Sequence, residues 1–246
     1  MPLPRRVLAE FVGTAALVGV VVGSGIMAQT LSPHDVGLQL LENSLATVFG
    51  LGVLIAMLGP VSGAQFNPVV SLADWWTGRQ GRTGLGPREV AAYTAAQCAG
   101  AIGGAVLANA MFGRTLVSWS QHHRSAPHLW LGEVVATAGL VMVIHALVRT
   151  DRGPLIPAAV ASYIGAAYWF TSSTSFANPA VTLGRAFSDS FAGIAPVSVP
   201  GFVIAQLVGG LIGLALITVL YPVGAGRTEE AAVARAGSSD AVGTRS

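Results

Sequence analysis

The chain has 246 residues, of which 52% are hydrophobic and only 10% are charged, whereas a soluble domain carries roughly 25% charged residues. So few charges cannot coat a soluble surface, and we expect most of the surface to face lipid. The net charge of +2 is mild, and no basic stripe indicates a nucleic-acid partner. Because Cys98 is the single cysteine, we predict no internal disulfide and no cysteine-based metal cluster. We expect neither a metal site nor a cofactor.

Six apolar stretches approach the length of about 20 residues that a helix needs to cross a bilayer. They are residues 7–29, 39–60, 87–111, 129–148, 154–170 and 201–221, the fifth being the shortest. Two further segments, 67–77 and 178–188, would each reach about 16 Å as helices, half of the hydrocarbon core. The sequence therefore predicts an all-α membrane protein with six transmembrane helices and two re-entrant half-helices that meet tip to tip.

Each half-helix begins at an Asn-Pro pair, after a Ser-, Thr- or Gly-containing run. Asn is a favourable N-cap, and Pro fits the first turn because its missing N–H would be unpaired there. Two such helix N-termini, each with about half a positive charge, would repel cations at the membrane centre. We expect amide donors and loop carbonyls to line a narrow path there, because non-helical backbone is tolerated in a membrane where it lines a cavity. The predicted central constriction comprises Asn67, Pro68, Val69, Asn178, Pro179 and Ala180.

The two halves of the chain share a pattern. Glu10 opens the first span and Glu133 the fourth, within similar Glu, Thr, Ala, Leu and Val spacings, while Gln97 and Gln206 recur in the third and sixth. Three spans per half require opposite topologies, so we predict an inverted repeat of about 7–112 and 129–222 within one domain, 1–222. Repeats of this kind place a functional site at the midplane, where broken helices meet. The Gly-, Ala- and Ser-rich stretch 223–246 is predicted to be a disordered cytoplasmic tail.

Glu10 and Glu133 are intramembrane carboxyl groups, which are functional by default. They could relay protons, bind an ion, or act as buried acceptors for loop N–H groups, and we favour the last role. The thirteen arginines set the orientation. Ten fall on the side of the N-terminus and three, Arg114, Arg124 and Arg185, on the other, so the positive-inside rule places both termini in the cytoplasm.

With both half-helix motifs, the paired acids and the paired glutamines in place, residues 8–222 resemble the aquaporin, or major intrinsic protein, family. The resemblance implies a passive pore in each subunit of a homotetramer, embedded in the lipid bilayer of a bacterial inner membrane. It also implies that Glu10 and Glu133 are structural acids.

The sequence departs from the family pattern at two positions. Val69 replaces the Ala of the first Asn-Pro-Ala motif, and Val181 stands where the family usually has an arginine that narrows the filter. Counting as the family does, the resemblance puts the selectivity filter at Thr47, Ala166, Ser175 and Val181, with Phe49 as an alternative to Thr47. Such a filter is wide and uncharged. Members without the arginine are similar to an arsenic-associated bacterial branch, which implies metalloid hydroxides such as arsenite, glycerol- or urea-like solutes, and water as cargo.

Arg185 lies two turns beyond Asn178. We interpret it as facing the outer mouth or a neighbouring loop. A role as a substitute for the missing arginine stays an alternative.

Three functions remain open at this point. A passive channel for small neutral solutes is favoured, with a water-selective aquaporin as a narrower version. A proton-coupled secondary transporter acting through Glu10 and Glu133 is the second. A membrane enzyme is disfavoured, since no nucleophile–base pair, metal-ligand set or phosphate loop is present, so we predict no catalytic residue.

Overall fold

A computed structural model describes residues 1–79 and 83–222. The predicted disordered tail, 223–246, lies outside the described residues. In the described part the chain forms eight α-helices: α1 (Leu3–Leu31), α2 (Val36–Ser62), α3 (Pro68–Gly78), α4 (Pro87–Met111), α5 (Pro127–Arg149), α6 (Ile156–Phe170), α7 (Pro179–Arg185) and α8 (Val199–Leu220).

Five of these helices, α1, α2, α4, α5 and α8, are long and apolar enough to cross a membrane. Helix α6 has 15 residues, which span about 22 Å. The 3₁₀ turn before it, Gly153–Leu155, adds about 6 Å, so the two together form the short fifth span that the sequence indicated. The all-α prediction with six spans and two half-helices is confirmed.

The half-helices α3 and α7 differ in length. Helix α3 has eleven residues and α7 only seven, so that they reach about 27 Å together. The expectation that the second half-helix continues to residue 188 is wrong, because the chain leaves the helix after Arg185 and turns through Ala186 and Phe187.

The two halves of the chain pack alike. Helix α1 packs along α4, α5 packs along α8 in the same way, and both half-helices contact each other. In each long pair, glycines let the backbones approach closely, as is typical of membrane helices. A Cβ at these glycines would lie less than 3.0 Å from a facing carbonyl oxygen: at Gly100 from Phe11, at Gly104 from Ala15, at Gly209 from Val134 and at Gly213 from Ala138.

This contact gives a prediction with a control on the same helix. Gly104→Ala should lower the free energy of unfolding by about 1–3 kcal/mol, because the new methyl group forces α4 away from α1. Gly103→Ala should be neutral, since nothing lies within 4 Å of a Cβ at Gly103. The thermal midpoints of the two detergent-solubilised variants, followed by size-exclusion chromatography, provide the measurement. Equal midpoints would contradict the packing argument.

Candidate functional site

Two asparagines join the tips of the half-helices. The Asn67 Oδ1 caps α3 by accepting from the Val69 N–H at 3.0 Å, and the Asn178 Oδ1 caps α7 by accepting from Ala180 and Val181. Each side-chain amide then donates across to the opposite loop. The Asn67 Nδ2 lies 2.7 Å from the Ala177 carbonyl oxygen, and the Asn178 Nδ2 lies 2.7 Å from that of Phe66. We call this reciprocal pair of hydrogen bonds the asparagine clamp.

A fully buried glutamate supports each loop that leads into a half-helix. The Glu10 carboxylate accepts from the backbone N–H groups of Gln65 and Phe66 at 3.0 and 2.7 Å, and from the Gln97 amide at 2.8 Å. Ser62 also donates to it. Both oxygens of Glu10 are therefore occupied by donors from the first loop and from α4.

The second repeat builds the same support. Glu133 accepts from the N–H groups of Phe176 and Ala177, both at 2.8 Å, and from the Gln206 amide at 2.6 Å. Gln206 donates further to the Thr182 hydroxyl in the first turn of α7. Each glutamate thus acts as a buried acceptor that fixes a loop to two helices.

The loops need this support because their backbone is strained. The φ angles of Ala64 and Phe66 are 48° and 50°, and those of Ser175 and Ala177 are 49° and 48°. Non-glycine residues rarely adopt the left-handed region, and each such residue costs about 1–3 kcal/mol. Within the described residues, no donor is found for the carbonyl oxygens of 63–65 or of 173–175, which leaves a row of free acceptors beside the clamp.

One cavity of about 310 Å³ runs past the clamp. Asn67 and Asn178 both line it, together with the loop residues 63–66 and 175–177. The rest of its wall is mainly apolar and comes from the four spanning helices α1, α2, α5 and α6, through Leu17, Val21, Leu51, Ile55, Leu140, Ile144, Val160 and Ile164. We call this cavity the lumen, and we name its two ends after Arg185 and Asp74.

Three hydroxyl groups line the Arg185 end of the lumen, those of Thr47, Tyr168 and Ser175. The Thr47 hydroxyl donates to the Asn43 carbonyl at 2.8 Å, so the Tyr168 hydroxyl, 3.1 Å away, is the donor to Thr47. The Ser175 hydroxyl is buried and has no partner in the described residues. Val181 and Arg185 complete this end.

The Asp74 end brings together an acid, a histidine and an amide. The Asp74 carboxylate accepts from the Leu85 N–H at 2.8 Å. The His145 Nε2 and the Gln65 Oε1 are buried, and neither has a hydrogen-bond partner among the described residues. All three residues line the lumen, so a solute at this end meets both donors and acceptors.

Comparisons with known proteins agree on one family. Residues 1–175 match the family model described as "Major intrinsic protein". The chain is 51% identical over 215 residues to "Aquaglyceroporin AqpS" of Rhizobium meliloti (strain 1021), which covers 87% of this chain and 89% of the relative. The chain belongs to the major intrinsic protein family.

A more distant relative supports the same assignment, and a solved structure shares the fold. The glycerol uptake facilitator protein of Pseudomonas aeruginosa is 31% identical over 226 residues, with 79% of this chain and 77% of the relative covered. The X-ray structure of the aquaglyceroporin from Plasmodium falciparum superposes with a TM-score of 0.67 at 19% identity, covering 93% of this chain and 99% of that one. At this identity the likeness is one of fold.

The structure corrects two positions that the family count gave. Ala166 is exposed and does not line the lumen, so its prediction as a filter residue is wrong. Helix α6 turns Val160, Ile164 and Tyr168 inward at intervals of four, and Ala166 lies two residues away on the opposite face. Phe49, the alternative to Thr47, is 69% exposed and lies outside the lumen, whereas Thr47 is 3% exposed and lines it.

Fewer residues than predicted line the lumen at the central constriction. Of its six residues only Asn67 and Asn178 line the lumen, whereas Pro68, Val69, Pro179 and Ala180 lie behind them. Val69, the departure from the family motif, packs with Ala73 and Val141. A Cβ at Gly210 of α8 would lie 2.5 Å from the Val69 Cγ1, so the absence of a side chain at Gly210 makes room for the larger residue.

Tyr168, Asp74 and His145 line the lumen but were not predicted from the sequence. Arg185 agrees with its interpretation, since it lies at one end of the lumen and donates to the Ala192 carbonyl of the neighbouring loop. A usable pattern existed for Tyr168, because it is the polar residue on an apolar i, i+4 face of α6. Arg185 stands four residues after Val181, hence on the same face of α7, which would have indicated the lumen. We find no comparable sequence feature that identifies Asp74 or His145.

The contact between Val69 and Gly210 can be tested with a double-mutant cycle. Gly210→Ala alone should lower stability by about 1–3 kcal/mol through overpacking, and much less in a Val69→Ala background, where the methyl group has space. We expect a coupling free energy of about 1 kcal/mol or more between the two positions, measured from thermal midpoints. Additive effects would mean that the two side chains do not meet.

Proposed function

We propose that this protein is a passive transmembrane channel for small uncharged solutes. The observation that carries the proposal is the lumen of about 310 Å³ that passes the asparagine clamp. Fast conduction requires that a solute bind only weakly along its path. An apolar wall with a few polar groups meets this requirement for a neutral solute. Family membership supports the same function, since relatives are named as a glycerol uptake facilitator and an aquaglyceroporin.

At the centre of the path, the clamp donates hydrogen bonds to solutes and disfavours cations. The Nδ2 of each asparagine has two N–H bonds, and the clamp uses one of them, so the other is available to a solute oxygen. The N-termini of α3 and α7 meet there, and their partial positive charges disfavour cations. We propose Asn67 and Asn178 as the central pore residues, with the free loop carbonyls as acceptors on both sides.

We propose that Thr47, Tyr168, Ser175 and Val181 set the width and polarity of the outer filter. Tyr168 takes the place that the sequence count gave to Ala166. Because Val181 is uncharged and short, the filter should pass solutes larger than water, including glycerol, urea and metalloid hydroxides such as arsenite. This favours a broad solute channel over a water-selective aquaporin.

The proton-coupled transporter is the weaker alternative. Glu10 and Glu133, which would carry the protons, are each held by three or more hydrogen bonds from loops and neighbouring helices. Neither lines the lumen. A proton relay would need at least one of them to open onto the path, and so the geometry favours structural acids.

The apolar surface and the distribution of the arginines along the chain support a proposal for the membrane, the oligomer and the orientation. Large apolar side chains on the outside of the bundle, such as those of Ile204, Leu211 and Val219, suit a lipid bilayer or neighbouring subunits. We propose a homotetramer in a bacterial inner membrane with both termini cytoplasmic, so that the Arg185 end of the lumen faces outward. Family resemblance and the positive-inside rule support this arrangement.

Stopped-flow measurements on proteoliposomes test the channel function directly. Water, glycerol, urea and arsenite should each equilibrate faster than in empty vesicles, without saturation and without an effect of a protonophore. Flux no faster than in empty vesicles would overturn the proposal. Uptake that saturates and collapses with the protonophore would favour the transporter.

A second experiment tests the filter residues. Val181→Arg should narrow the outer filter and reduce glycerol and arsenite flux by about tenfold while reducing water flux less, because the larger solutes lose more room. Ala166→Leu is the matched control, since Ala166 faces outward, and its fluxes should equal those of the wild type. If Ala166→Leu slows glycerol and Val181→Arg does not, the filter has been assigned to the wrong residues.

A further inference from the structure

Arg185 enters the lumen from one helical turn beyond the position at which the family has its arginine. It stands four residues after Val181 in α7, so the two residues share a face of the helix. Side chains on a helix lean toward its N-terminus, which in α7 is the clamp. The guanidinium of Arg185 therefore reaches back toward Val181, and both residues line the same cavity.

The guanidinium is fixed in place by an aromatic ring and one hydrogen bond. Its carbon atom lies 3.3 Å from the centre of the Phe176 ring, and its Nε donates to the Ala192 carbonyl oxygen. Arg185 is only 2% exposed. Of the five N–H donors of an arginine, this bond uses one, and no protein acceptor for the terminal nitrogens is found in residues 1–79 and 83–222.

Arg185 also has no ion-pair partner among the described residues. No carboxylate lies within 4.0 Å of it, and the ion pair found in the described residues joins Arg6 to Glu89 at the other end of the bundle. Of its charged neighbours, Arg124, which also lies over the Phe176 ring, has the same sign, and the Glu133 carboxylate has the opposite sign but is already bound by loop N–H groups and by Gln206. A buried charge inside a membrane is costly and is kept where it serves function. Arginine cannot avoid this cost by losing its proton.

We propose that Arg185 supplies the fixed positive charge of the outer lumen, and that it excludes cations while donating hydrogen bonds to solute oxygens. In the family pattern one arginine both narrows the filter and carries its charge. Here the two tasks are separated: Val181 leaves the filter wide, and Arg185, drawn back against Phe176, provides the charge. This inference rests on the proposed channel function, and it predicts a wide pore that does not leak protons or potassium.

The test compares cation leak with water flux in the same proteoliposomes. Arg185→Gln should raise the ratio of potassium or proton permeability to water permeability about tenfold or more, because a single charge in a poorly screened lumen acts strongly on a passing ion. Arg185→Lys keeps the charge and should hold the ratio near that of the wild type. Arg114→Gln is the matched control, since Arg114 bonds to the Asp189 carbonyl on the loop surface and does not line the lumen.

A double variant returns the charge to the family position. In Val181→Arg/Arg185→Gln the leak ratio should fall back toward the wild-type value while glycerol flux drops, because one residue again performs both tasks. A wild-type ratio in Arg185→Gln, or a lysine variant and a double variant as leaky as Arg185→Gln, would overturn the inference. Failure of the channel function is distinct from either result, because the wild-type protein would then show no solute flux.

Discussion

The asparagine clamp is the contact on which the lumen depends. Two helix N-termini carry like partial charges and would repel each other at close range. The carboxamide resolves this conflict, because its oxygen accepts from its own helix while its nitrogen donates to the opposite loop. Aspartate would cap the helix but could not donate, and serine would cap it without the reach. The requirement for an acceptor and a donor on one short side chain explains why asparagine stands at both positions.

The clamp needs strained loops, and the loops need the two buried acids. A carbonyl can reach the opposite asparagine because the residues before each half-helix adopt positive φ angles, at a cost of about 1–3 kcal/mol per residue. The strained backbone leaves several N–H groups that no helix can satisfy. Glu10 and Glu133 collect these donors, and Gln97 and Gln206 connect the acids to α4 and α8. The groups that contact the intramembrane carboxylates directly are thus loop N–H groups, a serine hydroxyl and side-chain amides.

The sequence predicts well those features in which one residue type satisfies a local structural requirement and recurs at the same place in both repeats. The Asn-Pro helix starts, the order of the spans and the pairing of acids with glutamines all belong to this group. Counting along the chain was less successful for Ala166, since a shift of two residues on a helix moves a side chain to the opposite face. The position of Arg185 depends on Phe176 and on the Ala192 carbonyl, which come from outside the helix. No pattern within α7 contains these partners.

The two ends of the lumen differ because the two repeats are not identical. Phe66 packs in the space above Gly13, where a Cβ would lie within 3.0 Å of its ring. The residue of the second repeat that corresponds to Gly13, three positions after Glu133, is the buried Ala136. The counterpart of Phe66, the residue before Asn178, is Ala177, so the second repeat has no ring to place there. Its phenylalanine, Phe176, stands one position earlier, at the place of Gln65, and lies edge to face with Phe202 and close to the guanidinium groups of Arg124 and Arg185. The one-position difference in where the two loops carry their phenylalanine thus puts an aromatic face at the Arg185 end of the path, where it contacts the Arg185 guanidinium.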